Sequence, residues 1–273
     1  MPLIFLVYVT LVRRASPAGP KLELNVPDST TPECIRTLYG TIDYEPQVPG
    51  KNSIGMCNYL NETSKRSDVH EFLQRFRPEA AEAAYDFTFV NIANADNDQG
   101  PYTAEQIANT KNIEGNLDAQ QILSIGYPTP MIAYNTGGSP PFIPDLSMPT
   151  DTNEPYLTFL NYILAEDDVP QVLSTSYGDD EQTVPESYAR RVCSGYAQLG
   201  ARGVSVLFSS GDFGVGSPNK CFSNVNPKQR RFLATFPASC PWVTTVGGTK
   251  GFSPEVAVYA AAALPSKVVP GFC

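Results

Sequence analysis

Between residues 53 and 208 the sequence alternates short apolar runs with stretches of helical periodicity, and that alternation leaves few folds open. Residues 204–208 (VSVLF) form a nearly continuous apolar run, as expected of a strand covered on both faces. Runs of the same kind occupy 53–60, 86–93, 131–134 and 172–176. The stretches between them read as helices at 68–76, 114–125 and 156–165. In the last of these, Tyr156, Phe159, Leu160 and Ile163 recur at i, i+3, i+4 and i+7 and share one face. Strands linked through helices pair in parallel, because parallel neighbours need a crossover of that length. The sequence therefore predicts an α/β fold: a doubly wound, mostly parallel sheet flanked by helices. It shows no internal repeat.

The helix before 204–208 carries the fullest set of end signals. Thr183 is placed to cap it, Pro185 suits an early helical position, and Glu186 completes a capping box. Tyr188, Val192, Tyr196 and Leu199 form its apolar face, and Gly200 can end it in a left-handed conformation. Residues 15–33 hold Pro17, Pro20, Pro27 and Pro32 among Ser, Thr and Asp, which reads as an extended leader, with the folded part beginning near Thr31. Residues 140–155, with five prolines, read as a long surface loop of the kind that contacts ligands.

Composition narrows the function. A chain of 273 residues with 42% hydrophobic and 17% charged side chains can bury a full core and is not disordered. The 19 Lys and Arg against 28 Asp and Glu give a net charge of −9, which repels nucleic acid and anionic lipid, so neither is an expected partner. The single histidine, His70, excludes mechanisms and metal sites that need two imidazoles, and it is expected on the solvent side of its helix. Six cysteines without a CxxC pair argue against a zinc ribbon or a thioredoxin-like site, and their pairing stays open. Their even number and the sequon Asn61-Glu62-Thr63 suit an oxidising compartment. Residues 3–12 are apolar over the length of a signal-peptide core, too short to span a bilayer, and equally suit a buried strand.

Two segments can carry chemistry. Glu114 and Asp118 stand four residues apart, on one face of the predicted helix. Such a pair can share a proton and titrate as a unit, or can simply form a solvated acidic face. Ser209-Ser210-Gly211-Asp212-Phe213-Gly214-Val215-Gly216 follows an apolar strand, at the sheet edge where ligands bind in open α/β folds. Its glycines do not match GxGxxG, no Walker lysine follows, and Asp212 would repel a phosphate. Either it is a tight turn, or it aims a polar group at a reacting carbonyl. Ser174-Thr175-Ser176-Tyr177-Gly178 ends the preceding strand with small side chains that would let an extended peptide approach. Asp96-Asn97-Asp98-Gln99-Gly100 lacks the glycine position and closing Glu of a calcium loop and reads as a turn.

Taken together, Glu114-x-x-Leu117-Asp118, the strand ending Ser174-Thr175-Ser176-Tyr177-Gly178, the Ser-Ser-Gly-Asp segment and Thr245-Val246-Gly247-Gly248-Thr249 resemble, in order and context, the sedolisin or serine-carboxyl peptidase family. The resemblance is nearest to fungal tripeptidyl-peptidases and covers about residues 31–249. It implies a subtilisin-like version of the sheet, with Glu114 as general base and Asp118 orienting it. It also implies Asp212 in the oxyanion hole, and Ser174, Ser176, Tyr177 and Gly178 binding a polypeptide substrate. Tripeptides would be released at acidic pH by a monomer that is extracellular or vacuolar. No cofactor is expected in this chain, and calcium is expected in full-length relatives. A carboxylate base works near its own pKa, which moves the chemistry to acid, and a protonated Asp212 can donate to an oxyanion that an ionised one would repel.

The same resemblance leads one to expect a nucleophilic serine in a Gly-Thr-Ser-Ala-Ser-like turn. The sequence has none, and neither Ser253 nor Ser266 has the required context. The expected division is a leader over 1–30, a partial peptidase domain over 31–250 and a divergent tail over 251–273, the whole being truncated and inactive as written. The alternatives are a peptide-binding pseudoenzyme and an unrelated doubly wound ligand-binding domain.

Overall fold

The computed structural model of the chain describes residues 30–146, 148–212, 221–250 and 255–257. The apolar run at 3–12, most of the proline-rich leader, residues 213–216, Ser253, Ser266 and nearly all of the 251–273 tail lie outside them. The strands used below are β1 (Ile54–Asn58), β2 (Thr88–Ile92), β3 (Met131–Thr136), β4 (Val172–Thr175), β5 (Asp179–Asp180), β6 (Ser205–Ser209), β7 (Thr235–Phe236) and β8 (Thr244–Val246). The helices are α1 (Pro32–Leu38), α2 (Arg66–Phe76), α3 (Ala83–Asp86), α4 (Ala104–Ala108), α5 (Ile113–Gly126), α6 (Tyr156–Ile163) and α7 (Glu186–Ala201).

Six strands form one parallel sheet in the order β2-β3-β1-β4-β6-β8. Alternate residues of each strand enter two separate cores, which is why the strands read as continuous apolar runs. Cys57, Ile92, Tyr134, Leu173, Val206 and Phe208 face α6 and α7, whose Tyr156, Phe159, Leu160, Ile163, Val192, Tyr196 and Leu199 are all buried there. Met56, Met131 and Ala133 face the other way, onto Val69 and Leu73 of α2, Ala84 of α3, and Ala119 and Leu123 of α5. Each large apolar side chain so buried contributes roughly 1.5–3 kcal/mol. Helices on both faces of a parallel sheet make the α/β, doubly wound class the observed one.

One crossover differs in hand from the others. The links β1 to β2, β3 to β4 and β4 to β6 share a hand, because the first moves one way across the sheet through α2 and the other two move the opposite way through the opposite face. From β2 to β3 the chain moves back through α5, yet α5 lies on the same face as α2. Parallel crossovers almost always share one hand, so this is the exception. Its effect is to lay α5 beside α2 with its first turn at the carboxyl edge of the sheet.

Several expectations about helix ends and exposure are corrected. Thr183 does not cap α7. Its hydroxyl bonds the Asp180 carbonyl (2.7 Å) and Asn153 Oδ1 (3.0 Å), and α7 starts after Pro185 without a side-chain cap. Gly200 does not end α7, which runs one residue further. Gly203, at φ +87°, makes the left-handed turn, while the Arg202 guanidinium donates to carbonyls of Leu164, Glu166 and Asp167. His70 is half-buried instead of solvated, 3.5 Å from a Glu82 oxygen and with its ring against Tyr85, because α3 folds onto α2. Of the cysteines left open, Cys193 and Cys240 form a disulfide, while Cys34 and Cys57 are buried thiols.

Gly115 in α5 shows how tightly the helix is seated. A Cβ there would stand 2.6 Å from the Thr63 carbonyl oxygen, a backbone atom that cannot swing aside. Intrinsic propensity favours alanine over glycine inside a helix by about 1 kcal/mol, whereas forced overpacking costs about 1–3 kcal/mol. Gly115→Ala is therefore expected to lower stability in urea unfolding, and an unchanged or raised midpoint would show that the helix is not pressed on this loop.

Candidate active site

The site is built from the carboxyl edge of the sheet upward. Asn91, Asn135 and Asn58 stand side by side at the ends of β2, β3 and β1. Asn58 Nδ2 donates to Asn135 Oδ1 (3.0 Å), and Asn135 Nδ2 donates to Thr63 Oγ1 (3.0 Å), Asn91 Oδ1 (3.2 Å) and the Asp96 carbonyl (3.1 Å). This ladder fixes the loop after β1, and the loop in turn grips the first turn of α5. Glu62 accepts the amides of Asn112 (2.9 Å) and Gly115 (3.4 Å), Ser64 donates to the Gly115 carbonyl (2.6 Å), and Asn116 accepts the Lys65 amide (2.7 Å). A carboxylate at that position satisfies amides left open by the helix start and meets the positive end of the helix dipole.

The grip aims two carboxyl groups toward the end of β4. Asp118 is buried, and its Oδ1 accepts a 2.8 Å hydrogen bond from the Ser176 hydroxyl. Its Oδ2, and Oε1 of Glu114, are buried with no hydrogen-bond partner among the described residues. Burial, and then the charges of Asp118, Asp212 and Glu62, push Glu114 up to about 8. Burial pushes Asp118 up to about 7, against the opposing bond from Ser176. A solvated acidic face would leave both groups near their ordinary values, and burial removes that alternative. The pair holds at least one proton at neutral pH and titrates as a unit.

Asp212 stands at the solvent rim, yet the surrounding protein desolvates its carboxyl enough to push it up to about 6. Gly211 before it adopts φ +84°, the left-handed turn that brings Asp212 over the strand end. Tyr177 is buried, its ring edge-on to Tyr59 at 5.4 Å, and burial with the charges of Asp118, Glu62 and Glu114 raises it far above its usual range. Ser174 lies inside β4, with its main chain between β1 and β6, and the ladder ends at Thr175. Gly178 lies against Thr235, where a Cβ would meet that side chain at 2.6 Å. The fold thus gathers Glu114, Asp118, Ser176, Tyr177 and Asp212, with Ser174 beneath and Gly178 beyond. A groove of about 520 Å³ passes Glu114 between Ile107 and Leu117. The helix-capping Glu62 and the asparagine ladder were not anticipated. Glu62 sat inside a sequon, and the ladder exists only in the strand register.

Among the described residues, no three His, Cys, Asp or Glu side chains converge as a metal site, and no helix is long and apolar enough to cross a membrane. No family model matches the chain. Individual relatives do. Over 232 residues the chain is 41% identical to tripeptidyl-peptidase sed4 of Aspergillus fumigatus, covering 83% of this chain and 37% of that protein. It is 42% identical over 238 residues to the probable tripeptidyl-peptidase SED3 of Trichophyton verrucosum, and 42% over 234 residues to tripeptidyl-peptidase SED2 of Arthroderma otae, with 84% of this chain and 37% of each relative covered. The chain thus spans just over a third of the length of the relatives it matches.

The coupling of the two carboxyls makes a measurable prediction. Asp118→Asn removes the neighbouring charge but not the burial, so in a carboxyl NMR titration the Glu114 pKa should fall below about 8 and still exceed the ordinary carboxylate value. Both values are raised by folding, so the stability the pair contributes is full below the ordinary carboxylate range and is lost as pH rises through about 7 and 8. The loss should be smaller in the variant, and an unshifted Glu114 would show that the two groups do not interact.

Proposed function

This chain is a relative of the fungal sedolisin tripeptidyl-peptidases, and from that kinship we propose that it carries the acid–base half of a serine-carboxyl peptidase site. Glu114 takes the proton from an attacking hydroxyl and returns it to the leaving amine. Asp118, held by Ser176 at 2.8 Å, orients Glu114 and shares its proton load. Asp212, protonated, donates to the oxyanion, and the segment around Ser174, Ser176, Tyr177 and Gly178 lays out the polypeptide substrate. The observation that carries this reading is the run from Ser176 through Asp118 to Glu114, with Asp212 close enough to act on Glu114's proton affinity.

The working pH follows from two demands. Asp212 donates only while protonated, so its role ends as pH rises through about 6. Glu114 must be ionised to act, and a hydroxyl donating to its unpartnered Oε1 would lower its pKa from the value of the chain alone. With a nucleophilic hydroxyl supplied to this half-site, the product is an acid-active peptidase releasing tripeptides. Its net charge of −9 and the Cys193–Cys240 disulfide suit an extracellular or vacuolar monomer acting on protein without nucleic acid or membrane. The unit responsible spans 31–250, apart from leader and tail. Calcium is expected in full-length relatives, and no step here runs through it.

The 273 residues contain no Gly-Thr-Ser-Ala-Ser-like turn, so the polypeptide of this sequence alone should release no tripeptides from an unblocked peptide at about pH 4. Robust turnover by the pure chain would refute that inactivity. The peptidase reading is tested separately by replacing the matching stretch of an active tripeptidyl-peptidase with residues 31–249. The hybrid should be active, and Glu114→Gln should reduce it by about 10²–10⁴-fold. A hybrid indifferent to Glu114→Gln would remove Glu114 from the reaction.

A further inference from the structure

Asn61-Glu62-Thr63 is the only Asn-x-Ser/Thr sequon in the 273 residues, and the acid–base chemistry above makes no use of its asparagine. Asn61 is exposed in the turn after β1, at φ +60°, directly behind Leu60 at φ +53°. Asparagine enters that left-handed region more readily than most residues. The Asn61 carbonyl accepts Lys111 Nζ, and Lys111 lines the groove that passes Glu114. A group added at Asn61 therefore stands at the rim of that groove, next to Leu60, which is 48% exposed.

Thr63 is the opposite case. It is 0% exposed, its hydroxyl donates to Asn97 Oδ1 (3.2 Å) and accepts from Asn135 Nδ2 (3.0 Å), and its amide donates to Asn112 Oδ1 (3.1 Å). A hydroxyl has one proton to donate, and here Asn97 takes it. An enzyme that reads the sequon must reach the threonine hydroxyl as well as the asparagine amide, so the folded turn presents only half of what it recognises. The three partners of Thr63 lie 34, 49 and 72 residues further along the chain. During synthesis Asn61 and Thr63 are therefore both available before the residues that bury Thr63 have been made.

We propose that Asn61 is an N-glycosylation site, modified while the chain is being made and closed to modification once Asn97, Asn112 and Asn135 have folded onto Thr63. In the reaction the Asn61 side-chain nitrogen attacks the anomeric carbon of an oligosaccharide carried on a lipid pyrophosphate. A C–N bond forms, the C–O bond to the pyrophosphate breaks, the nitrogen loses one proton, and the lipid pyrophosphate leaves. The donor and its transferase belong to the secretory pathway, so this assignment rests on the location proposed above and on no part of the peptidase chemistry. Carbohydrate at Asn61 covers Leu60 and bounds the groove on the side of Lys111.

Translation of the full chain behind a supplied secretory signal, with endoplasmic-reticulum microsomes present, tests the site. Among protease-protected chains a single heavier species is expected, returned to the unmodified mobility by endoglycosidase H and abolished by Asn61→Gln and by Thr63→Ala. Because modification precedes folding, the loss in Thr63→Ala is read even if that variant folds poorly. Because the signal is supplied, a failure falls on the site and not on the proposed location. The order of events is tested on the finished protein with solubilised transferase and lipid-linked donor. The reduced and alkylated chain, its core kept open by modified Cys57 and Cys240, should be glycosylated at least tenfold faster than the folded chain. Protected chains of unmodified mass, modification that survives Asn61→Gln, or equal rates on folded and unfolded chain would overturn the proposal.

Discussion

The first turn of α5 rests directly on main chain, and the rest of the candidate site depends on that contact. Gly115 lets the helix descend until its backbone meets the Thr63 carbonyl, and only at that depth do Glu62, Ser64 and Asn116 reach their partners. The crossover of unusual hand is what brings α5 to this face at all. Burial of Val69, Leu73, Ala119 and Leu123 between α2 and α5 offsets whatever that hand costs. Shifting the helix outward by the radius of a methyl group would solvate Asp118 and return the pair to ordinary carboxylate behaviour.

The proton affinity of Glu114 and Asp118 is set first by burial, and at Glu114 next by neighbouring carboxyls. Lys65 and Arg77 are buried, yet Lys65 serves the Gly100 carbonyl and Asp98, and Arg77 pairs with Glu79, both at the α2 side of the fold. The groups that shift Glu114 are other acids, and Asp118 is shifted by burial against the Ser176 hydrogen bond. A buried carboxylate next to a guanidinium keeps its charge, whereas one next to another carboxyl must take up a proton or leave the interior. That physics governs Glu114 and Asp118, where burial and a neighbouring carboxyl act together.

Most of the fold was legible because burial on two sides leaves an uninterrupted apolar trace, as at 204–208, and because four apolar residues of α6 recur on one stripe. What escaped was decided by geometry that periodicity does not encode. The α7 cap failed because Thr183 is engaged by Asn153, thirty residues earlier. His70 was misplaced because α3, four residues long, is too short to announce itself, and it covers that side of α2. In the site, Glu114 and Asp118 were visible since their spacing is local. Glu62, Asn58 and Asn135 were not, because their roles depend on strand register and on a loop meeting a helix some fifty residues away.

Local spacing and tertiary burial thus contribute different halves of the chemistry. Spacing makes Glu114 and Asp118 neighbours, as it would on any exposed helix, where solvent would screen their interaction to little consequence. Burial converts the neighbourhood into a shared proton, and Ser176, reached through the sheet, decides which carboxyl is oriented by it. A buried pair held by a shared proton is favoured in a proton-rich medium and loses that advantage as pH rises. The proposed working pH of the site and the pH dependence of the pair's stability therefore follow from one arrangement, two carboxyls buried side by side.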